Sequence, residues 1–178
     1  AEKTLAVADL HIGYEQELRD KGVNIPSQTE SMIDNIKGIL DDNSVKKLVI
    51  VGDLKHNITQ ASWQEYKEIP RSLDDLLMYV DEIHLVPGNH DGGIERYLPS
   101  DVFLHEPSGA VIDDIGFFHG HANPSREVTE PELVVVAHNH PSISIWDSLD
   151  QRKKKQCWVR LGYKYPYDKF DIREGEAI

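Results

Sequence analysis

Five short stretches of this sequence carry groups that bind metal ions or move protons. They read "ADLH", "GDLKH", "GNHD", "HGH" and "HNHP", and they hold Asp9, His11, Asp53, His56, Asn89, His90, Asp91, His119, His121, His138 and His140. Seven of the nine histidines lie in them. Imidazole suits zinc, manganese, iron and other first-row ions, whereas carboxylate and amide oxygens suit harder ones. On extended backbone, residues two apart face the same side, so Asp-x-His and His-x-His can each aim two ligands at one point. One ion takes about four to six ligands, and these stretches offer more. Two ions sharing a carboxylate use that number better, and a metal pair ~3.5–4 Å apart is a standard device for in-line displacement at phosphorus.

Each stretch has a plainer reading by itself. Asp9 and Gly52-Asp53 can be turn residues, Asn89 an Asx turn, and "HNHP" a polar loop. Their joint recurrence at successive strand ends is what makes coincidence improbable. His84 and His105 sit inside strand-like runs and are read as structural.

The elements that must position these groups follow from hydrophobic periodicity. "TLAVADL" (4–10), "KKLVIVGD" (46–53) and "EIHLVPGNHD" (82–91) read as buried strands that end in acids, amides or imidazoles. Between them, residues 27–42 read as a helix with Met32, Ile33, Ile36, Ile39 and Leu40 on one face and Ser27 as its cap. Residues 72–80 read as a second amphipathic helix. This βαβαβ order implies parallel strands with right-handed crossovers, whose carboxyl-end loops converge on one crevice. The second half reads as strands with short connections: "FLHE", "AVIDDIGFFHG", "ELVVVAHNHP", "SISIWD" and "CWVRL". Asp113-Asp114 suits a hairpin turn between residues 110–112 and 115–118.

Composition bounds the function. A chain of 178 residues is read as a single domain, 1–178, and 39% hydrophobic with 28% charged residues fits a soluble globular protein. The net charge of −12 argues against a broad electrostatic grip on nucleic acid. The one basic run, "QRKKKQ" (151–156), reads as an exposed hairpin tip, with a phosphate-facing patch as its functional alternative. No aromatic-basic platform of the kind single strands stack on is visible. The single cysteine, Cys157, cannot form an internal disulfide, which points to a reducing cytoplasm. No apolar run reaches the ~20 residues that cross a bilayer, and no leader-like segment precedes Ala1.

Taken in order, these motifs resemble the D-x-H, G-D, G-N-H-D/E, H-G, G-H-x-H signature of the calcineurin-like metallophosphoesterase superfamily. The match runs from Asp9 to His140 and is most similar to the small ICC-like phosphoesterases, relatives of the SbcD-type nucleases. The resemblance implies an α/β fold, a four-layer αββα sandwich of two mixed β-sheets flanked by helices. It implies two divalent metal ions, Mn²⁺ foremost, with Zn²⁺, Fe²⁺ or Ni²⁺ as alternatives. Asp9, His11 and His140 would hold one ion; Asn89, His119 and His138 the other; Asp53 would bridge them. His90 would contact the phosphate and assist the leaving oxygen, and Asp91 would steady the loop or an imidazole N–H. His119 and His121 compete for one ligand position; the His-Gly pattern favours His119 and leaves His121 as an outer or substrate contact.

The sequence also departs from the pattern. Ala137 replaces the glycine before the last motif. No Val-Asp-Arg-Gly follows "GDLKH", and His56 stands where the Ser/Thr phosphoprotein phosphatases have an aspartate. Related proteins continue with further strands after the region matching "CWVRL", which implies a missing segment near the C-terminus. The reaction implied is hydrolysis of a phosphodiester, in a nucleic acid or nucleotide, by in-line attack of a hydroxide held between the ions. The alternatives are a phosphomonoesterase on a nucleotide or sugar phosphate and a non-catalytic metal-binding scaffold.

Overall fold

A computed structural model describes residues 3–168 and 171–177, with side chains described as far as Tyr163. Strands β1 (Thr4–Val7), β2 (Lys47–Val51), β3 (Glu82–Val86) and β4 (Val102–Leu104) pair in that order, all parallel. Helices α1 (Tyr14–Asp20), α2 (Thr29–Asn43) and α3 (Trp63–Leu77) lie in the crossovers. A second sheet has the order β10-β11-β7-β6-β5. Its strands are β5 (Ala110–Ile112), β6 (Ile115–Phe118), β7 (Leu133–Val136), β10 (Leu161–Asp168) and β11 (Asp171–Ala177). It is mixed: β6–β7 and β7–β11 are parallel, β5–β6 and β10–β11 antiparallel. Strands β8 (Ser142–Trp146) and β9 (Arg152–Gln156) form a separate antiparallel hairpin.

Side-chain alternation in β2 builds two cores at once. Leu48 and Ile50 face Ile33, Ile36 and Leu40 of α2 and Ile69, Leu73 and Leu76 of α3. Val49 and Val51 face the other way, against Ile112, Phe117, Val135 and Ala137 of the second sheet. Each such side chain contributes roughly 1.5–3 kcal/mol on burial, so the sheet is clamped from both faces. Phe118, Val128, Val134 and Tyr163 close the far side of the second sheet. The α/β arrangement of two facing sheets is as expected. The first sheet is parallel throughout, and the described cover of the second is the short 3-10 turn Glu127–Thr129 rather than a long helix.

Other details correct the sequence reading. The helix expected over 72–80 begins at Trp63, started by a capping box in which Ser62 accepts from Glu65 N at 3.2 Å. Pro70, within it, disguised the longer helix. Helix α1 went unread because seven residues are too few to show a period. Ser27 caps beside α2 rather than as its N-cap, accepting from Thr29 N at 3.2 Å. "CWVRL" is not a strand except at its last residue, Leu161, which opens β10. The basic run forms the second arm of the β8–β9 hairpin, not its tip. Among the described residues, no helix is long and apolar enough to cross a membrane.

Candidate metal centre

The five motifs follow the ends of β1, β2, β3, β6 and β7, and the sheet geometry brings them together. The first two loops stay paired past their strands: Asp9 N donates to Gly52 O at 3.0 Å, His11 N to Asp53 O at 2.9 Å, and His56 N to Ile12 O at 3.0 Å. The loops are not extended, as the two-apart spacing argument assumed. Asp9, His11, Asp53, His138 and His140 all have left-handed backbone, with φ of 53°, 45°, 51°, 67° and 43°. Such residues cost about 1–3 kcal/mol each and persist where the surrounding fold over-determines them. Here the strained backbone brings these side chains toward one another at the strand ends.

Two glycines make room for this. A Cβ on Gly52 would collide with the ring of His119, and one on Gly88 with Asp53 Oδ1. The glycines of "GDLKH" and "GNHD" therefore admit a neighbouring motif's side chain.

Two triads result. Asp9, His11 and His140 each offer one atom within 4.8 Å of the others, and so do Asp53, His119 and His138. Asp53 Oδ2 lies 3.7 Å from His11 Nε2 and 3.3 Å from His119 Nε2, which places it between the two groups. Asn89 Oδ1 is 3.3 Å from the same His119 nitrogen. Asp9 Oδ1 is 3.4 Å from His140 Nε2, yet it is buried and accepts no hydrogen bond. A buried carboxylate oxygen without a donor, in a ring of imidazoles, fits a divalent cation; it does not fit an ordinary polar core. His119 Nδ1 must donate to Val51 O at 2.9 Å, since a carbonyl only accepts, and this leaves the Nε2 lone pair facing Asp53 and Asn89.

The electrostatics agree with a cation site. Burial alone would raise the Asp53 carboxyl, but the His119 ring, when protonated at Nε2, and the hydrogen bond from His90 N hold it at about 2. Burial would lower His119, but Asp53 and the Val51 carbonyl draw it up. Negative potential at that point serves a metal ion as well as a proton.

The remaining polar residues arrange themselves around these triads. His90 N donates to Asp53 Oδ1 at 2.9 Å, and His90 Nδ1 is bonded to the His56 carbonyl, so its Nε2 is the nitrogen left for a ligand. His90, His56 and His11 form a third close group, with ring centroids 4.8–5.6 Å apart. Asp91 steadies the loop, not an imidazole: it accepts from Gly88 N at 2.8 Å and Lys55 N at 3.1 Å. His121 is exposed, its ring 5.4 Å from that of His119, and stands outside both triads. Ala137 is buried between the sheets, and its N–H donates to His119 O at 3.1 Å, so the glycine it replaces is not needed there. His84 and His105 are remote from the triads and bond to each other at 2.9 Å.

Three supporting residues escaped the sequence reading. Lys55 is fully buried, and its ammonium donates to the carbonyls of Asn57, Ile58 and His90. Glu65, also fully buried, accepts from His56 N at 2.8 Å and Asn57 N at 2.6 Å. Between them, these two residues set the His56 loop and, through it, His90. Glu17 of α1 bonds His56 Nε2 and leaves His56 Nδ1 buried and without a partner. The Ser62-x-x-Glu65 capping box was the one readable signal among these.

Fold and site together define a two-sheet α/β protein with a carboxylate–imidazole centre at its strand ends. The chain belongs to the calcineurin-like phosphoesterase family, whose model matches residues 2–174. Among solved structures it is similar to the Pseudomonas putida nuclease MPE, with a TM-score of 0.56 and 21% identity over 84% of this chain. It spans 66% of that protein's length, and at this identity the likeness is one of fold. No curated protein matches the chain.

Proposed function

We propose that this chain hydrolyses phosphodiester bonds with two divalent ions. Asp9, His11 and His140 hold one, Asn89, His119 and His138 hold the other, and Asp53 is shared. The observation that carries the reading is the position of Asp53 Oδ2 between His11 Nε2 (3.7 Å) and His119 Nε2 (3.3 Å). Family membership implies the divalent metals; the imidazole-rich donor set favours first-row ions, and Mn²⁺ is our choice. Bound there, the ions would supply an activated water and neutralise charge on the phosphoryl oxygens.

The chain's own residues do the rest. His90 presents Nε2 to a phosphoryl or leaving oxygen and, when protonated there, gives its proton to the departing alkoxide. Such a step is worth typically ~10²–10⁴-fold. His56 lies beside His90 with Nε2 held by Glu17 and Nδ1 buried, and we assign it to positioning the His90 ring against the second ester arm of a diester. The phosphoester substrate, a nucleic acid or nucleotide, is in keeping with the fold shared with a nuclease.

Turnover of bis(p-nitrophenyl) phosphate and p-nitrophenyl phosphate by the Mn²⁺-loaded protein tests the reading. A higher kcat/KM on the diester is expected. Preference for the monoester would make the chain a phosphomonoesterase and remove the role given to His56.

A further inference from the structure

The β8–β9 hairpin belongs to neither sheet, and every residue of both strands is exposed. An isolated two-stranded ribbon is marginal in water, and this one carries Ile143, Ile145 and Trp146 on its surface. It also carries Arg152, Lys153, Lys154 and Lys155, in a chain of net charge −12. Such a concentration of positive charge is not what solubility asks of an acidic protein.

The register sorts these groups by face. Ser142 pairs with Gln156, Ser144 with Lys154, and Trp146 with Arg152; Ile143 pairs with Lys155 and Ile145 with Lys153. Directly paired residues in an antiparallel ribbon share a side, and neighbours alternate. One face therefore carries Trp146, Arg152 and Lys154 with Gln156, and the other Ile143, Ile145, Lys153 and Lys155. Arg152 Nε donates to Ser144 Oγ at 3.0 Å, within the first face. On the second, Lys153 is paired with Asp147 at 3.2 Å. The aromatic-basic platform missing from the linear sequence is assembled by this pairing.

The base of the ribbon lies beside the metal centre. Ser142 follows His140 by two residues, and Cys157 N donates to Pro141 O at 3.0 Å, which ties the base of the ribbon to the ligand loop. A groove of about 550 Å³ runs from Gln156 past Trp158 to His140 and Asp9. Trp158 is 53% exposed. Of the first face, Gln156 reaches this groove, whose wall also carries the candidate ligands Asp9 and His140 and a second exposed indole.

We propose that this face binds single-stranded nucleic acid and feeds it along the groove to the metal centre. Arg152 and Lys154 meet phosphates, and Trp146 and Trp158 stack on unpaired bases, a contact every base can make. The delivery role rests on the phosphodiesterase reading; the binding does not.

Fluorescence anisotropy of a labelled dT12 oligonucleotide on the metal-free protein tests the binding without requiring turnover. Arg152→Gln with Lys154→Gln is expected to weaken it ~10-fold or more at low salt. The same pair is expected to flatten the salt dependence by ~0.7 in log–log slope for each phosphate that is no longer neutralised. Trp146→Ala is expected to weaken binding ~10-fold. Lys153→Gln with Lys155→Gln, the same charge change on the opposite face, is expected to weaken it less than ~3-fold. This last pair is expected to keep wild-type turnover of bis(p-nitrophenyl) phosphate. Equal losses from both lysine-containing pairs, no loss from either, or tighter binding of a blunt duplex would overturn the proposal. Binding as expected with no diester turnover in Mn²⁺ would leave this surface standing and sink the phosphodiesterase reading instead.

Discussion

Asp53 Oδ2 and His119 Nε2 stand 3.3 Å apart, with the other nitrogen of the His119 ring anchored on Val51 O at 2.9 Å. Val51 ends β2 and Asp53 lies two residues on, so one strand both orients the imidazole and supplies the carboxylate facing it. His119 follows β6 in the other sheet. The contact between the two sheets is therefore also the assembly of the site.

Asp53 belongs to one triad and also lies 3.7 Å from His11 Nε2 of the other, so in the proposed reading it would serve both ions. Asp53→Asn is expected to lower bound Mn²⁺ from two ions per chain to fewer than one. His140→Ala is expected to lose one ion and keep the other, since it takes part in a single triad. Elemental analysis of dialysed protein reads both, and a shared role is excluded if Asp53→Asn retains two ions.

The glycines give a steric test. Gly88→Ala is expected to abolish metal binding, because the added Cβ would collide with Asp53 Oδ1. Gly22→Ala is the control: it has a left-handed φ of 85° but nothing within 4 Å of the added atom. It should cost only the backbone strain, about 1 kcal/mol, with metal content unchanged. Equal metal content in both variants would show that the approach of Gly88 to Asp53 is not critical.

Glu65 links the site to pH. Burial raises its carboxyl, but the amides of Asn57 and Ser62 outweigh this and hold it below the ordinary value. A depressed folded-state pKa stabilises above the unfolded value, ~4.3, and the contribution is lost as pH falls through the folded one. Glu65→Gln is expected to destabilise at pH 7 by about 1.5–3 kcal/mol, since two donors lose their acceptor whichever oxygen is replaced. The difference from wild type should shrink as pH falls below ~4.3. Urea unfolding across pH measures it; a constant difference would refute the hydrogen-bonded carboxylate.

His56 and Glu17 should act together. His56→Ala is expected to reduce diester turnover ~10-fold or more with both ions retained. Glu17→Gln should produce a smaller loss, and adding it to His56→Ala should change nothing further, because its part in the site runs through that ring. Additive losses would mean that Glu17 acts elsewhere.

The candidate ligands were legible because their types and spacing recur at strand ends, and the parallel order of β1, β2 and β3 followed from periodicity. What could not be read depends on tertiary contact. Lys55 passes for a solvated lysine in sequence, since lysines are almost never fully buried; only three converging carbonyls account for it. Glu17 meets His56 across 39 positions. Trp146, Arg152 and Lys154 come to one face only through hairpin register. The left-handed backbone at Asp9 and His11 is likewise imposed by the loops paired beside them, not by local preference.

In the proposed reaction a pair of metal ions on one shared carboxylate drives phosphodiester hydrolysis. Titrating metal-stripped protein with Mn²⁺, while following bound metal and hydrolysis of bis(p-nitrophenyl) phosphate together, tests it most directly. Turnover is expected to stay near background through the first equivalent, rise with the second and saturate at two ions per chain. Full turnover in the stripped protein, or saturation at one ion, would contradict it.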